Sequence, residues 1–349
     1  MPTDDLLAEA HLRYVSDKQP GIKRVRTGPK SFTYLGPDKK PIEDKDTLDR
    51  IKKLVLPPAW EKVWISPHIN GHLQATGYDS KGRKQYRYHD LWTELSQEHK
   101  FLHLLDFARS LPRIRRRIRK DLNLPGLPRE KVIATAVWLL QNTLIRVGNE
   151  AYVLQNKSYG LTTLTRQQVD VEGDMVKFEF KGKSGVYHKL RIHSKKVADI
   201  IRRCKEIPGQ ELFEYLDENG NYQMIHSHDV NNYLKEVTGR DITAKDFRTW
   251  GGTLLAAELL DQIGIVRKRT ESNKNVIDAV KKVAAHLRNK PDTCKKYYIS
   301  PIITNAYEKG YTLSNLQKSA KFKKIKSIRE LDDFENQLVC MLSMFTEEA

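Results

Sequence analysis

The sequence predicts an α+β protein. A small β-rich amino-terminal domain spans residues 1–97, and a larger, mainly α-helical domain spans 98–349 and carries one β-hairpin. Three observations lead there. Short segments of period-two alternation bounded by turn formers occupy the first part, longer segments of helical period occupy the rest, and 349 residues suffice for two cores.

Composition narrows the function before any motif does. Hydrophobic residues make up 39% of the chain, enough for a folded core, and no apolar run reaches the roughly 18 residues that span a bilayer. No membrane partner is expected. The first residues lack a basic start followed by an apolar run, so no secretion signal is read. Cys204, Cys294 and Cys340 are scattered and odd in number, which fits reduced cytoplasmic thiols and offers no metal-ligand spacing. The net charge of +17, from 61 Lys and Arg spread along the chain, implies a polyanionic partner bound largely through its phosphates.

In the amino-terminal part, residues 48–55 read as a helix, and 63–65 and 72–76 as strands. After the turn formers at 79–82 comes Arg83-Lys-Gln-Tyr-Arg-Tyr-His89, a strand with Tyr86 and Tyr88 on one face. Cations interleaved with aromatics and the amide of Gln85 suit DNA, where lysine and arginine meet phosphate and Gln or Tyr reaches bases or sugars. An exposed strand with two half-buried tyrosines accounts for the same residues about equally well. The neighbouring Gly77-Tyr-Asp-Ser-Lys-Gly-Arg-Lys84 is not a phosphate loop, because Arg83 and Lys84 stand where lysine and a hydroxyl are needed. No nucleotide site is expected.

From about residue 98 the period becomes helical. Arg113-Ile-Arg-Arg-Arg-Ile-Arg-Lys120 is either a solvated face or a phosphate-tracking one. Residues 130–145 are apolar on most sides and form the central helix of the second core. That helix runs into Arg146-Val-Gly-Asn-Glu-Ala-Tyr152, and an arginine at the edge of a buried helix needs a partner, which marks Arg146 as a site candidate beside the commoner structural salt bridge. Val176, Phe178 and Phe180 alternate against Val186, His188, Leu190 and Ile192, so Lys181-Gly-Lys-Ser-Gly185 is the flexible tip of a hairpin from which Lys183 can swing, although in isolation an ordinary surface lysine at a turn is the better reading. Helices follow over 195–205 and 227–238. Thr243-Ala-Lys-Asp-Phe-Arg-Thr-Trp-Gly-Gly252 leads into an apolar helix over 254–263, with Lys245 and Arg248 three apart and hence on one helical face. Beyond residue 305, a basic run (Lys318, Lys321, Lys323, Lys324, Lys326) precedes an amphipathic helix bearing Phe334, Leu338, Leu342 and Phe345.

The stretch with most chemistry is Asn289-Lys-Pro-Asp-Thr-Cys-Lys-Lys-Tyr-Tyr-Ile-Ser-Pro301. Val276, Val280, Val283 and Leu287 recur at helical spacing up to it, Pro291 ends that helix or begins another, and Tyr298 falls about two turns into the next, closed by Pro301. A phenol has a pKa near ~10, so attack at phosphorus requires cationic neighbours that also neutralise the phosphate. Taken alone, Tyr297 and Tyr298 are better explained as one packing and one surface aromatic.

Together and in this order, Arg146, Lys183, Lys245-Asp-Phe-Arg248 and Tyr298-Ile-Ser-Pro301 resemble the catalytic boxes of type IB DNA topoisomerases of the short poxviral and bacterial class. Ser80-Lys-Gly-Arg-Lys-Gln-Tyr-Arg-Tyr88 resembles the DNA-clamping domain of that class. The resemblance, from about residue 57 to 303, implies that a monomer relaxes duplex DNA without metal or nucleotide. Tyr298 would attack a backbone phosphate to give a 3′-phosphotyrosyl link, Arg146 and Arg248 would grip the non-bridging oxygens, and Lys183 would protonate the departing 5′ oxygen. Gln85, Tyr86, Tyr88, Asn149, Tyr152 and Lys245 would touch the duplex, Asn149 standing where a lysine can occur. One departure is Asn289, where the family often has histidine; its amide can still donate to a phosphate oxygen, and His286, one turn earlier, is the alternative. The nearest rival, a tyrosine site-specific recombinase, shares this chemistry but usually carries His-x-x-Arg where Lys245-Asp-Phe-Arg248 stands. A non-catalytic nucleic-acid binder is the other rival.

Overall fold

The computed structural model describes residues 7–28, 31–80, 82–316 and 326–346, except the side chains of residues 97–100, 102 and 346. Packing separates the chain into two compact units, Met1–Phe101 and Leu102–Ala349, with the division inside a long helix, Asp90–Asp121.

Among the described residues the first unit is built on a five-stranded antiparallel sheet with a helix packed against it. Its elements are β1 (Ile22–Arg26), β2 (Phe32–Leu35), α1 (Lys45–Lys53), β3 (Glu61–Ile65), β4 (Leu73–Tyr78) and β5 (Lys84–Tyr88), in sheet order β2-β1-β3-β4-β5. Asp44 caps α1, its carboxylate accepting the Thr47 N–H at 2.8 Å. Ile51 on α1 packs into the cluster of Ile22, Val63, Ile65 and Ala75. Beside it Arg50 donates to Gln74 Oε1 at 2.8 Å and to the Ser66 carbonyl at 2.7 Å, so a charged residue ties helix to sheet by filling acceptors at the strand ends. The glycine-containing segment after β4 is a plain hairpin turn, in which Gly82 (φ +69°) donates to the Asp79 carbonyl at 2.8 Å. Lys81 lies outside the described residues.

The second unit is mainly helical, as expected. It contains α2 (Asp90–Asp121), shared with the first unit, then α3 (Arg129–Thr143), α4 (Glu150–Asn156), β6 (Val169–Glu172), β7 (Met175–Lys181), β8 (Tyr187–His193), α5 (Lys195–Glu206), β9 (Glu214–Leu216), β10 (Tyr222–Met224) and α6 (Ser227–Thr238). Six more helices follow: α7 (Ala244–Ile263), α8 (Arg269–Leu287), α9 (Pro291–Tyr298), α10 (Pro301–Glu308), α11 (Leu313–Leu316) and α12 (Asp333–Thr346). Val132, Ile133, Ala134, Ala136, Val137, Leu139 and Leu140 of α3 are fully buried, which explains why no polar stripe was legible there. The hairpin register pairs Val176 with Ile192, Phe178 with Leu190 and Phe180 with His188, and β6 adds a third strand that the alternation did not mark.

One expectation is corrected. The helix before Leu254 is continuous from Ala244, because the Thr243 N–H and hydroxyl both donate to Asp246 (2.8 and 2.9 Å) and start it there. Lys245 and Arg248 stand three apart on this one helix as expected, but Lys245 is exposed whereas Arg248 is 3% exposed. The last helix covers the core. Leu338 and Leu342 are buried, and Glu335 takes both Arg115 Nη atoms at 2.7–2.8 Å and the Trp250 indole N–H at 3.3 Å. Of the basic run before it, Lys318, Lys321, Lys323 and Lys324 lie outside the described residues. The three cysteines are buried and unbridged, no described helix is long and apolar enough to cross a membrane, and no metal-holding cluster occurs among the described residues.

Candidate active site

Tyr298 is the last residue of α9, whose first turn is set by Pro291. Pro301 does not close this helix; it opens α10, with the Ser300 hydroxyl as cap. The bend between them is fixed from α7. The Thr253 hydroxyl, fully buried, donates to the Tyr298 carbonyl (3.3 Å) and accepts the Ser300 N–H (3.1 Å). Gly252 makes room for the approach: a Cβ there would stand 2.7 Å from the Tyr298 carbonyl oxygen.

Arg248 reaches the tyrosine from one turn earlier on α7. Its Nη1 donates to the Leu144 carbonyl and its Nη2 to the Leu287 carbonyl at 2.9 Å. These are the unsatisfied carbonyls at the ends of α3 and α8, so the guanidinium is held where two helices present their negative ends. Leu144 supplies its carbonyl because it stops α3 in the left-handed conformation, φ +53°. The guanidinium carbon lies 5.0 Å from the centroid of the Tyr298 ring. Burial and then the like charge of Arg146 bring Arg248 down to about 10, with Tyr298 opposing.

Arg146 sits two residues beyond Leu144, on a segment clamped by residues 160–162. Leu161 N–H donates to the Arg146 carbonyl (2.9 Å) and Thr162 N–H to the Val147 carbonyl (2.7 Å). Gly148, at φ +105°, and Gly160 allow this crossing, since a Cβ on Gly160 would meet the Gly148 Cα at 2.5 Å. Arg146 Nη2 donates to Asn289 Oδ1. Burial lowers the pKa of Arg146, against the pull of Tyr298. Asn289 is placed by the end of α8, where Arg288 turns left-handed and the Asn289 N–H returns to the Ala284 carbonyl at 2.8 Å. His286 is exposed, and Asn289 occupies the place against Arg146.

Among the described residues, Arg146 Nη1, Arg248 Nε and Asn289 Nδ2 are buried donors without partners. Three idle donors beside one phenol make a site shaped for an anion.

Lys183 is not gathered with this group. It begins a tight turn, Lys183–Gly185, in which Ser184 has φ +63°. Its ammonium lies 5.9 Å from the centroid of the Tyr152 ring. Asn149 caps α4, its Oδ1 accepting the Ala151 N–H at 2.9 Å, and Tyr152 and Lys245 are exposed. In the first unit, Tyr86 and Tyr88 on β5 are exposed and nearly parallel, 6.0 Å apart at 8°. The Gln85 amide donates to Asp79 at 3.0 Å, so it is engaged within its own hairpin.

Sequence reasoning missed three residues that build this site. Gly252 and Thr253 were hidden in an apolar stretch. His188, 3% exposed against Phe180, had one signal: a histidine in the core-facing series of β8.

A family model of the eukaryotic DNA topoisomerase I catalytic core matches residues 85–330, and one of the bacterial DNA topoisomerase IB amino-terminal domain matches 31–79. DNA topoisomerase 1B of Acanthamoeba polyphaga mimivirus is 34% identical over 311 residues, covering 86% of this chain and 89% of its own. DNA topoisomerase 1B of Vaccinia virus (strain Copenhagen) is 23% identical over 250 residues, covering 70% and 74%. DNA topoisomerase 1 of Rabbit fibroma virus is 23% identical over 327 residues, covering 87% and 98%. With a catalytic-core match over most of its length and a 34% identical relative along nearly all of it, the chain belongs to the short type IB DNA topoisomerases.

Proposed function

We propose that this enzyme relaxes supercoiled duplex DNA by cutting one strand, letting it rotate and resealing it. The Tyr298 oxygen attacks a backbone phosphorus and gives up its proton to solvent. The bond to the 5′ oxygen breaks, a 3′-phosphotyrosyl ester forms, and the leaving 5′ oxygen takes a proton from Lys183. Arg146, Arg248 and Asn289 donate to the non-bridging oxygens, where negative charge grows in the transition state. Lysine suits the acid's role because an ammonium can release its proton and a guanidinium scarcely can. The ester keeps the energy of the broken bond, so resealing needs neither ATP nor metal. Tyr86, Tyr88 and Gln85 of one unit, and Asn149, Tyr152 and Lys245 of the other, contact the duplex held by a single chain in the cytoplasm.

The observation that carries this reading is the convergence of three unpartnered donors on Arg146, Arg248 and Asn289 in the neighbourhood of Tyr298. The test is to trap protein with denaturant on a duplex whose cut strand is 5′-labelled, so that the label stays on the tyrosine-linked fragment, and to incubate a supercoiled plasmid without ATP or metal. The parent chain is expected to give an adduct and a topoisomer ladder, and Tyr298→Phe neither. Binding without any adduct would overturn it, and exchange between paired sites without relaxation would point to recombination instead.

A further inference from the structure

His188 on β8 pairs with Phe180 on β7, and the two rings stack at 4.6 Å and 13°. Its Nε2 lies 2.5 Å from where a Cβ on Gly182 would stand, so the imidazole is wedged beneath the residue that precedes Lys183. Among the described residues neither ring nitrogen has a hydrogen-bond partner, although the residue is 3% exposed. A buried idle imidazole costs free energy that a phenylalanine in the same slot would not. Burial and the guanidiniums of Arg288, Arg146 and Arg248 push it down to about 4, so it stays neutral and keeps one N–H and one lone pair. The idle donors of Arg146, Arg248 and Asn289 await a phosphate; the idle nitrogens of His188 lie under the one catalytic candidate that is out of place.

We infer that His188 is a positioning residue for Lys183: its ring nitrogen hydrogen-bonds the hairpin tip when the tip turns Lys183 away from Tyr152 and toward the leaving 5′ oxygen. This rests on Lys183 being the general acid. A bond available in the turned form and absent in the parked one shifts the equilibrium toward the turned form. Arg288 holds β8 next to His188 meanwhile, its Nη2 donating to the Lys189 carbonyl at 3.1 Å.

The experiment compares single-turnover cleavage of an ordinary duplex with one whose bridging 5′ oxygen is sulfur. A thiolate, with a pKa near ~8.5, leaves without help from an acid. Lys183→Ala is expected to be slowed about 100-fold or more on oxygen and to recover on sulfur; without recovery the acid assignment itself fails, whatever His188 does. His188→Phe, which keeps the wedge and removes the nitrogens, is expected to be slowed about tenfold or more on oxygen and to recover on sulfur. His188→Gln, with an amide near the Nε2 position, is expected to stay within about threefold of the parent on oxygen. A parental rate for His188→Phe on oxygen, or equal slowing on both duplexes, overturns the inference. If His188→Phe does not fold, nitrogen NMR of His188 in the Tyr298→Phe chain decides. A changed imidazole signal on duplex binding supports the role, and an unchanged one overturns it.

Discussion

Replacing Gly252 by alanine tests the link between helix packing and chemistry. Within α7 the change should help, since alanine exceeds glycine in helix propensity by about 1 kcal/mol. The added methyl meets a backbone oxygen that cannot rotate away: the Tyr298 carbonyl at 2.7 Å, with a Leu287 methyl at 3.1 Å and the Tyr298 Cβ at 3.4 Å. Ordinary contact begins near 3.4 Å, so α9 must back off by roughly 0.7 Å, at a packing cost of about 1–3 kcal/mol. The balance is a loss of about 0–2 kcal/mol in stability. The larger consequence is for Tyr298, because a misplacement approaching ~1 Å costs up to about 100-fold in rate. Gly252→Ala should therefore cut adduct formation about tenfold or more in single-turnover assays while duplex binding stays near parental. Gly251→Ala, one residue earlier, meets only the flexible Leu144 side chain and should cut far less. Parental cleavage by Gly252→Ala, with a raised melting temperature, would refute the argument.

Other substitutions probe the remaining supports. Asn289→Ala removes both an idle donor and the acceptor for Arg146, and should slow cleavage about tenfold or more with binding intact, as read by rapid quench and filter binding. Arg248→Lys cannot span the Leu144 and Leu287 carbonyls while facing a phosphate, so cleavage should fall about 100-fold or more and urea stability should fall with it. Glu335→Ala leaves the Arg115 guanidinium without its counter-charge and should cost about 3–5 kcal/mol in urea unfolding of the helical unit. His188, pushed from 6.5 to about 4, is protonated more readily in the unfolded chain. Its contribution therefore destabilises the fold progressively as pH falls from 6.5 toward 4, by at most about 3 kcal/mol, and is absent above that window. Stability curves of the parent and His188→Phe should diverge in that sense, and a constant difference between them would contradict it.

The chain made some of this legible and hid the rest for identifiable reasons. Alternation gave the hairpin its inward faces, Val176, Phe178 and Phe180 against His188, Leu190 and Ile192, because a half-buried strand writes its burial into every second residue. Periodicity gave α3 to within two residues and the end of α8 at Leu287, whereas α9 rested on Pro291 rather than on periodicity. β1 was missed because Ile22-Lys-Arg-Val-Arg26 buries one side chain and exposes most others, a pattern that cannot be told from a basic loop. Arg146, Arg248, Asn289 and Tyr298 were legible as residue types in order, but their convergence depends on where three helices end, which spacing does not encode. Lys183 shows the limit from the other side: the hairpin was read correctly, but the direction of its tip is set by a left-handed Ser184 and by His188 beneath Gly182.

The closure of Glu335 on Arg115 and Trp250 also bears on how the enzyme is made. Arg115 and Glu335 are 220 positions apart, so the partner of a mostly buried cation is synthesised long after it. A nascent chain that has not yet released α12 holds Arg115 and the Trp250 indole without their acceptor, and cannot complete the helical unit. Arg248, whose guanidinium carbon lies 5.0 Å from the centroid of the Tyr298 ring, is on the same helix as Trp250. Completion of the helical unit is thereby deferred until translation has passed the last described helix.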